Sequence, residues 1–369
     1  MSLSHHPIHG GMIWEASEKL NTSINNIIDF SSNINPLGPP EKLISTLINS
    51  LDLVRYYPDP NYRELRLALA DIYGVDAENI MVGNGATEII HVFAQAFISA
   101  EDRVLIPIPT FDEYRYAVEK VGAKIVYIGL RSNMHIDVDA IISRIESDKV
   151  KAVFLCNPNN PTGVFENQSD LLRLLDKASE RNVLVFLDES FTDFVVSKKP
   201  YSLIKVVNNY SNLFIVKSLT KILGIPGLRI GIGIGSKSIT TRLNRYRITW
   251  SVSTITERAV LSILSELNEY LRVCREFIKR ERNFIIKQLS KVDSIRVVSG
   301  DANFLFIYVG NSGYTSLEIA EYLLKRHILI RDCSTFTGLT DSYIRVAIRR
   351  HNENIALINS LKELVKNID

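Results

Sequence analysis

The sequence predicts an α/β protein: a large domain on a mainly parallel seven-stranded sheet flanked by helices, plus a smaller C-terminal α/β domain. Three observations carry this. Seven short, nearly all-apolar runs recur between residues 80 and 235, separated by stretches with apolar residues at helical spacing. Runs without polar alternation are strands buried on both faces, and in this order they form a parallel sheet covered by helices. A chain of 369 residues also exceeds one ordinary core, and a second, shorter alternation follows residue 291.

In chain order, residues 1–40 are rich in Gly, Pro and Asn and read as an arm with one helical stretch, GMIWEASEKL (11–20). Residues 41–252 form the large domain. Its strands are IMVG (80–83), RVLIP (103–107), KIVYIG (124–129), KAVFLC (151–156), VLVFLD (183–188), NLFIVKS (212–218) and LRIGIGIG (228–235). Between them lie amphipathic stretches such as EIIHVFAQAFI (88–98), EYRYAVEKV (113–121) and LLRLLDKASE (171–180). A long helical pattern from Ser253 to Lys291 opens the small domain, 253–369. There IRVV (295–298), NFLFIYV (303–309), ILIR (328–331) and YIRVAI (343–348) read as strands around the helix SLEIAEYLLKRH (316–327), before a final helix.

Composition excludes several function classes. With 43 basic against 41 acidic residues, the formal charge of +2 gives no field for a polyanion, so no nucleic-acid partner is expected. The densest basic cluster, Lys237, Arg242, Arg245 and Arg247, reads as a solvated helix face. Cys156, Cys274 and Cys333 are far apart and lack metal-ligand spacing, which implies free thiols, a reducing compartment and no metal. The opening MSLSHHPIHGG lacks a signal-peptide layout, and no uncharged apolar run reaches membrane-spanning length. The expectation is a cytoplasmic protein with no membrane partner.

Parallel sheets place ligands beyond the carboxyl ends of their strands. After IMVG comes NGATE (84–88), a glycine turn opening a helix near Ala86; its free amides form either an anion site, with Thr87 adding a hydroxyl, or an ordinary capped turn. After KAVFLC comes the polar loop NPNNPTG (157–163), and VLVFL ends on Asp188, an N-cap or a functional carboxylate. After NLFIVKS come Lys221 and then Arg229, behind a Pro-Gly. A lysine in such apolar surroundings is costly to bury unless its nitrogen is used. Together these are what pyridoxal phosphate needs. A lysine holds its aldehyde covalently, an acid keeps its pyridine nitrogen protonated, and a helix terminus with Ser218 and Arg229 binds its phosphate.

NPNNPTG, LDESFTDF (187–194) and KSLTKILGIPGLR (217–229), in that order, resemble the fold-type-I pyridoxal-phosphate enzymes, aspartate-aminotransferase-like, over essentially the whole chain. The resemblance implies Lys221 as the cofactor-bearing lysine, Asp188 on the pyridine nitrogen, Asn160 as donor to the ring hydroxyl and Phe111 stacked on the ring. It implies Gly85, Ala86, Thr87, Ser218 and Arg229 as phosphate ligands. Tyr57, in RYYPDP, is implied to reach the phosphate of a neighbouring subunit, hence a homodimer with composite active sites. Arg345 resembles the substrate-carboxylate arginine and Arg331 a substrate-phosphate arginine, though which takes which end stays open; His9 and Asn35 complete the implied substrate contacts, with Arg349 a further candidate.

Within that family, HGGMIWEAS (9–17), IIDFSSNINPLGPP (27–40), WSVS (250–253) and IRDCSTFTGLTDSYIRVAIR (330–349) resemble the L-threonine-O-3-phosphate decarboxylases of cobalamin biosynthesis. Phe191 stands where histidinol-phosphate aminotransferases usually carry a tyrosine. The implied activity is decarboxylation of a phosphorylated amino acid, L-threonine O-3-phosphate; the alternative is amino transfer from histidinol phosphate to 2-oxoglutarate. A catalytically idle relative would lack Lys221, Asp188 or Arg229, and all three are present.

Overall fold

The structure, a computed structural model, describes residues 9–196 and 201–366. The arm contributes a short strand, β1 (Ile28–Asp29). The main sheet follows: β2 (Ile80–Gly83), β3 (Arg103–Ile108), β4 (Lys124–Gly129), β5 (Val150–Cys156), β6 (Leu184–Asp188), β7 (Leu213–Lys217) and β8 (Gly231–Gly235). Their spatial order is β2-β8-β7-β6-β5-β3-β4, and the pairings among β7, β6, β5, β3 and β4 are parallel. Strand β8 is antiparallel to both its neighbours. The reason lies in the connection after β7. It carries only the short helix Leu219–Ile222 and a turn at Pro226–Leu228, so the chain doubles back instead of crossing the sheet on a long helix. The run LRIGIGIG is therefore strand only from Gly231, and Arg229 sits before it in the left-handed region at φ 49°.

One face of the sheet packs on an aromatic cluster. Phe93, on the helix Gly85–Phe97, lies with its ring centroid 5.6 Å from Phe154, 5.0 Å from Phe186 and 5.6 Å from Phe214. The strand rings belong to β5, β6 and β7, whose carboxyl ends carry the loops of interest.

The C-terminal part holds β9 (Arg296–Ser299), β10 (Phe304–Tyr308), β11 (Ile328–Leu329), β12 (Arg331–Asp332) and β13 (Tyr343–Ala347). Four of them form an antiparallel sheet ordered β12-β13-β10-β9. The run ILIR does not form one strand. Its first half, β11, pairs in parallel with β1, and its second half, β12, pairs with β13, so the arm is tied to this part of the chain. Phe30 seals the junction: its N–H donates to Leu329 O at 2.7 Å, and its carbonyl accepts from Ala347 N at 2.8 Å. The long helical pattern is also broken, into Thr254–Ile263 and Leu267–Leu289 with a turn at Leu264–Glu266 between them. Leu271, Cys274, Ile278, Ile285 and Leu289 form the buried stripe of the second helix. Among the described residues no helix is long and apolar enough to cross a membrane.

Truncating the centre of the aromatic cluster is expected to cost much of the stability of a domain. Phe93→Ala should lower unfolding free energy by about 3–5 kcal/mol, read from the urea midpoint of the cofactor-free protein.

Candidate active site

Loops at the carboxyl ends of β2, β5, β6 and β7 meet the arm and the second sheet around a cavity of about 250 Å³. Its anion-binding corner is made by close backbone approach. Gly85 opens the helix Gly85–Phe97 at φ +76°, and a Cβ there would stand 2.3 Å from Arg229 Nη2. A Cβ on Gly231 would stand 2.6 Å from Ala86 N. Only glycines let the first-turn amides, the β8 backbone and the Arg229 guanidinium share this corner. Ala86, Thr87, Ser218, Thr220 and Arg229 line the cavity, and Ser218 Oγ lies 2.7 Å from Thr220 Oγ1. The sequence marks Thr220 with Ser218 as a hydroxyl-rich turn before Lys221, without giving it a ligand role.

At the end of β6, Asp188 Oδ2 accepts from the Tyr114 hydroxyl at 2.8 Å, and Oδ1 accepts from Ser190 N at 2.8 Å. Burial pushes its carboxyl above the ordinary carboxylate range, against the pull of these bonds. A cation brought to this carboxylate would offset that cost. Phe111 lines the same cavity, with its ring edge-on to Tyr114 at 5.6 Å.

Lys221 lies in the short helix Leu219–Ile222 and projects into the cavity wall formed after β7. Burial, reinforced by Arg345 and Arg229, lowers its amine from the ordinary 10.5 to about 8. The shift leaves a larger neutral, nucleophilic fraction of the amine near neutral pH than an ordinary lysine has. The turn is fixed by Asn35, which corrects one expectation. Asn35 N donates to Lys221 O at 3.1 Å, its Nδ2 donates to Ile222 O at 2.9 Å, and its Oδ1 accepts from Leu37 N at 3.0 Å. These backbone bonds consume its side chain, so Asn35 holds the lysine in place and does not line the cavity.

Two arginines enter from the second sheet, directly opposite one another on β12 and β13. Arg331 donates to Thr335 Oγ1 at 2.7 Å and stacks 4.8 Å from the Phe336 ring. Arg345 donates through Nη1 to Asn160 Oδ1 and through Nη2 to Ser31 O, while its buried Nε has no hydrogen-bond partner among the described residues. Burial lowers both guanidiniums, Arg345 to about 10. Because Asn160 Oδ1 is taken by Arg345, its Nδ2 is the atom left to donate to a ligand.

The arm closes the remaining side with His9, Gly10, Ser31, Ser32 and Asn33. Asn33 and Ser190 also line the cavity, and among the described residues Asn33 Oδ1 and Ser190 Oγ are buried without partners, like Arg345 Nε. Such groups are costly unless a ligand satisfies them. Asn33 and Ser190 were missed in the sequence; a polar run after the apolar IIDF, and the position two after Asp188, were the available signals. Tyr57 does not reach the cavity. It is 78% exposed, stacks on Trp250 at 4.4 Å, and borders a second concavity on the far side of Arg229. Arg349 also stays outside, paired with Glu353 at 3.0 Å.

The amide-and-guanidinium corner, the lowered amine, the buried carboxylate and the unpartnered polar atoms fit pyridoxal phosphate. The profile of the aminotransferase class I and II family matches residues 25–361. The chain belongs to that family. Its cofactor is pyridoxal phosphate. A protein of Caldanaerobacter subterraneus subsp. tengcongensis named "putative threonine-phosphate decarboxylase" is 40% identical over 335 residues, covering 90% of this chain and 89% of its own length. The solved histidinol-phosphate aminotransferase of Clostridium acetobutylicum is 33% identical with a TM-score of 0.85, over 92% of this chain and 100% of its own. The solved L-threonine-O-3-phosphate decarboxylase of Porphyromonas gingivalis is 28% identical with a TM-score of 0.82, over the same shares.

The lowered Lys221 amine has a stability consequence in the cofactor-free protein. Its pKa is lower folded (about 8) than unfolded (10.5), so the penalty is full below pH 8 and is lifted as pH rises toward 10.5. Lys221→Met removes the buried cation. Cofactor-free Lys221→Met is expected to be more stable than cofactor-free wild type by roughly 2–3 kcal/mol at pH 7, the gap closing by pH 10.5. Urea unfolding at both pH values checks it.

Proposed function

We propose that this protein decarboxylates L-threonine O-3-phosphate to 1-aminopropan-2-ol O-phosphate and carbon dioxide, using pyridoxal phosphate, in cobalamin biosynthesis. The observation that carries this is the charge of one cavity. Lys221, Arg229, Arg331 and Arg345 line it against Asp188 and Asp112, and Asp112 is already held bidentately by Arg115. With Arg229 assigned to the cofactor phosphate, two buried arginines are left for a substrate with two anionic ends. Threonine phosphate carries a phosphate and a carboxylate on one molecule, whereas the aminotransferase meets them on two, histidinol phosphate and 2-oxoglutarate.

The bound cofactor supplies an electron sink for the bond broken at Cα. The chain decides which bond that is. Asp188 would hold the pyridine nitrogen, Phe111 would support the ring face, and Asn160 Nδ2 would donate to the ring oxygen. Gly85, Ala86, Thr87, Ser218 and Arg229 hold the phosphate. Arg331, Arg345 and His9 would hold the two anionic ends, and that anchoring would select loss of the carboxylate over loss of the hydrogen. Lys221 then delivers the proton that replaces the lost carboxylate at Cα. Phe191 favours this reading over amino transfer: its ring lines the cavity, packs edge-on to Phe304 at 5.1 Å and offers no hydroxyl.

Several finer readings belong with this proposal. Residues 1–40 act as an arm, 41–252 as the cofactor domain and 253–369 as the small domain, supported by the two separate sheets. A homodimer with Tyr57 completing the partner's phosphate site is supported by the exposure of Val54, Tyr56, Tyr57 and Trp250 around that second concavity. Three free, buried cysteines support a reducing, cytoplasmic setting.

Purified, cofactor-loaded protein given L-threonine O-3-phosphate without any keto acid should release one carbon dioxide per amine formed, with the cofactor still an aldehyde. No carbon dioxide, together with amination of the cofactor by histidinol phosphate, would instead establish the aminotransferase.

A further inference from the structure

His91 has the sequence context of a core residue, yet its ring is not buried among apolar groups. Its Nε2 lies 3.0 Å from Glu113 Oε2, and the other oxygen of the same carboxylate lies 2.6 Å from His9 Nε2. Glu113 is buried, at 7% exposure, and opens the helix Glu113–Lys120 just after Phe111. The three residues come from three elements. His91 belongs to the helix that begins the phosphate corner, Glu113 follows the ring-supporting loop, and His9 belongs to the arm.

The carboxylate between them is charged. Burial alone would raise its pKa, but hydrogen bonds from His9 and His91 hold it down at about 2. An ionised carboxylate only accepts, so both imidazoles carry a proton on Nε2. That leaves Nδ1–H, the second donor of the His9 imidazolium, as what His9 can offer an anionic ligand. The rear of the chain is braced, since His91 meets Tyr116 edge-on at 5.8 Å. At the front, the His9 ring lies 5.2 Å from Phe111 and lines the cavity. The arm beside it is held by Gly11 N donating to Ser31 Oγ at 2.7 Å.

We propose that Glu113 is the positioning residue of the arm: clamped to His91, it latches His9 over Phe111 and presents the Nδ1–H of the His9 imidazolium to an anionic group of the substrate. The latch stands on the hydrogen-bond geometry; its effect on substrate rests on the reading of the site given above. A purely structural carboxylate would tie two elements of the core. This one spends one oxygen on the arm and ends at a cavity-lining ring.

The test is a double-mutant cycle of Glu113→Gln and His9→Phe in the cofactor-loaded protein, with two readouts. Without substrate, each single variant is expected to speed hydrogen exchange across residues 10–16, and the double variant no further than either. With whichever of L-threonine O-3-phosphate or histidinol phosphate is consumed, each single variant should raise KM about tenfold, with kcat within about twofold, again without addition. His91→Leu leaves the carboxylate in place and should shift both readouts the same way by less; it serves if Glu113→Gln does not fold. Wild-type exchange of the arm in Glu113→Gln, or effects of the two substitutions that add, would overturn the latch. Loosened, non-additive exchange with neither substrate consumed would uphold the latch and sink the substrate reading.

Discussion

The rest of the site depends on keeping the Lys221 amine out of water beside two arginines and across a cavity from a buried carboxylate. Charging that amine is costly there, so it stays available as a nucleophile near neutral pH. The same crowding of positive charge is tolerable only if anions fill the cavity. The unpartnered Arg345 Nε, Asn33 Oδ1 and Ser190 Oγ make the same demand in hydrogen bonds. Lysine, arginines and orphaned polar atoms are thus one requirement, met by a phosphorylated cofactor and a doubly anionic substrate.

The fold supplies this arrangement by bringing three separately built parts to one place. Parallel strands end in the loops that carry Asp188 and Lys221, over an aromatic layer that fixes the sheet from behind. The glycines at 85 and 231 let a helix terminus and an arginine meet. The second sheet delivers Arg331 and Arg345 as opposed residues on adjacent strands. The arm pairs through β1 with β11, the strand just before β12, and then crosses to the lysine turn through Asn35 and to Glu113 through His9. It is therefore both a wall of the cavity and the brace between the two sheets.

Much of this was legible in the sequence because functional residues of such a sheet sit just past apolar runs. Asp188, Lys221, the turn at Gly85 and the loop NPNNPTG were found that way, Asn160 within that loop came from the family resemblance, and the structure places them around one cavity or directly against it. What stayed hidden depends on long-range pairing. The reversal of β8 follows from a short connection whose apolar content looks like any buried strand's. ILIR splits between two sheets because the arm, nearly three hundred residues earlier, claims its first half. Asn35 reads as a polar residue beside a cavity, but its bonds all run to backbone and a thiol. His91 sits in an apolar helix pattern, and nothing local reveals the carboxylate that it faces.

The most direct test of the central claim is where the cofactor becomes attached. Borohydride reduction of the cofactor-loaded protein, followed by peptide mass spectrometry, should leave the pyridoxyl phosphate group on Lys221 alone. The group on another lysine, or no attachment to protein at all, would contradict the account.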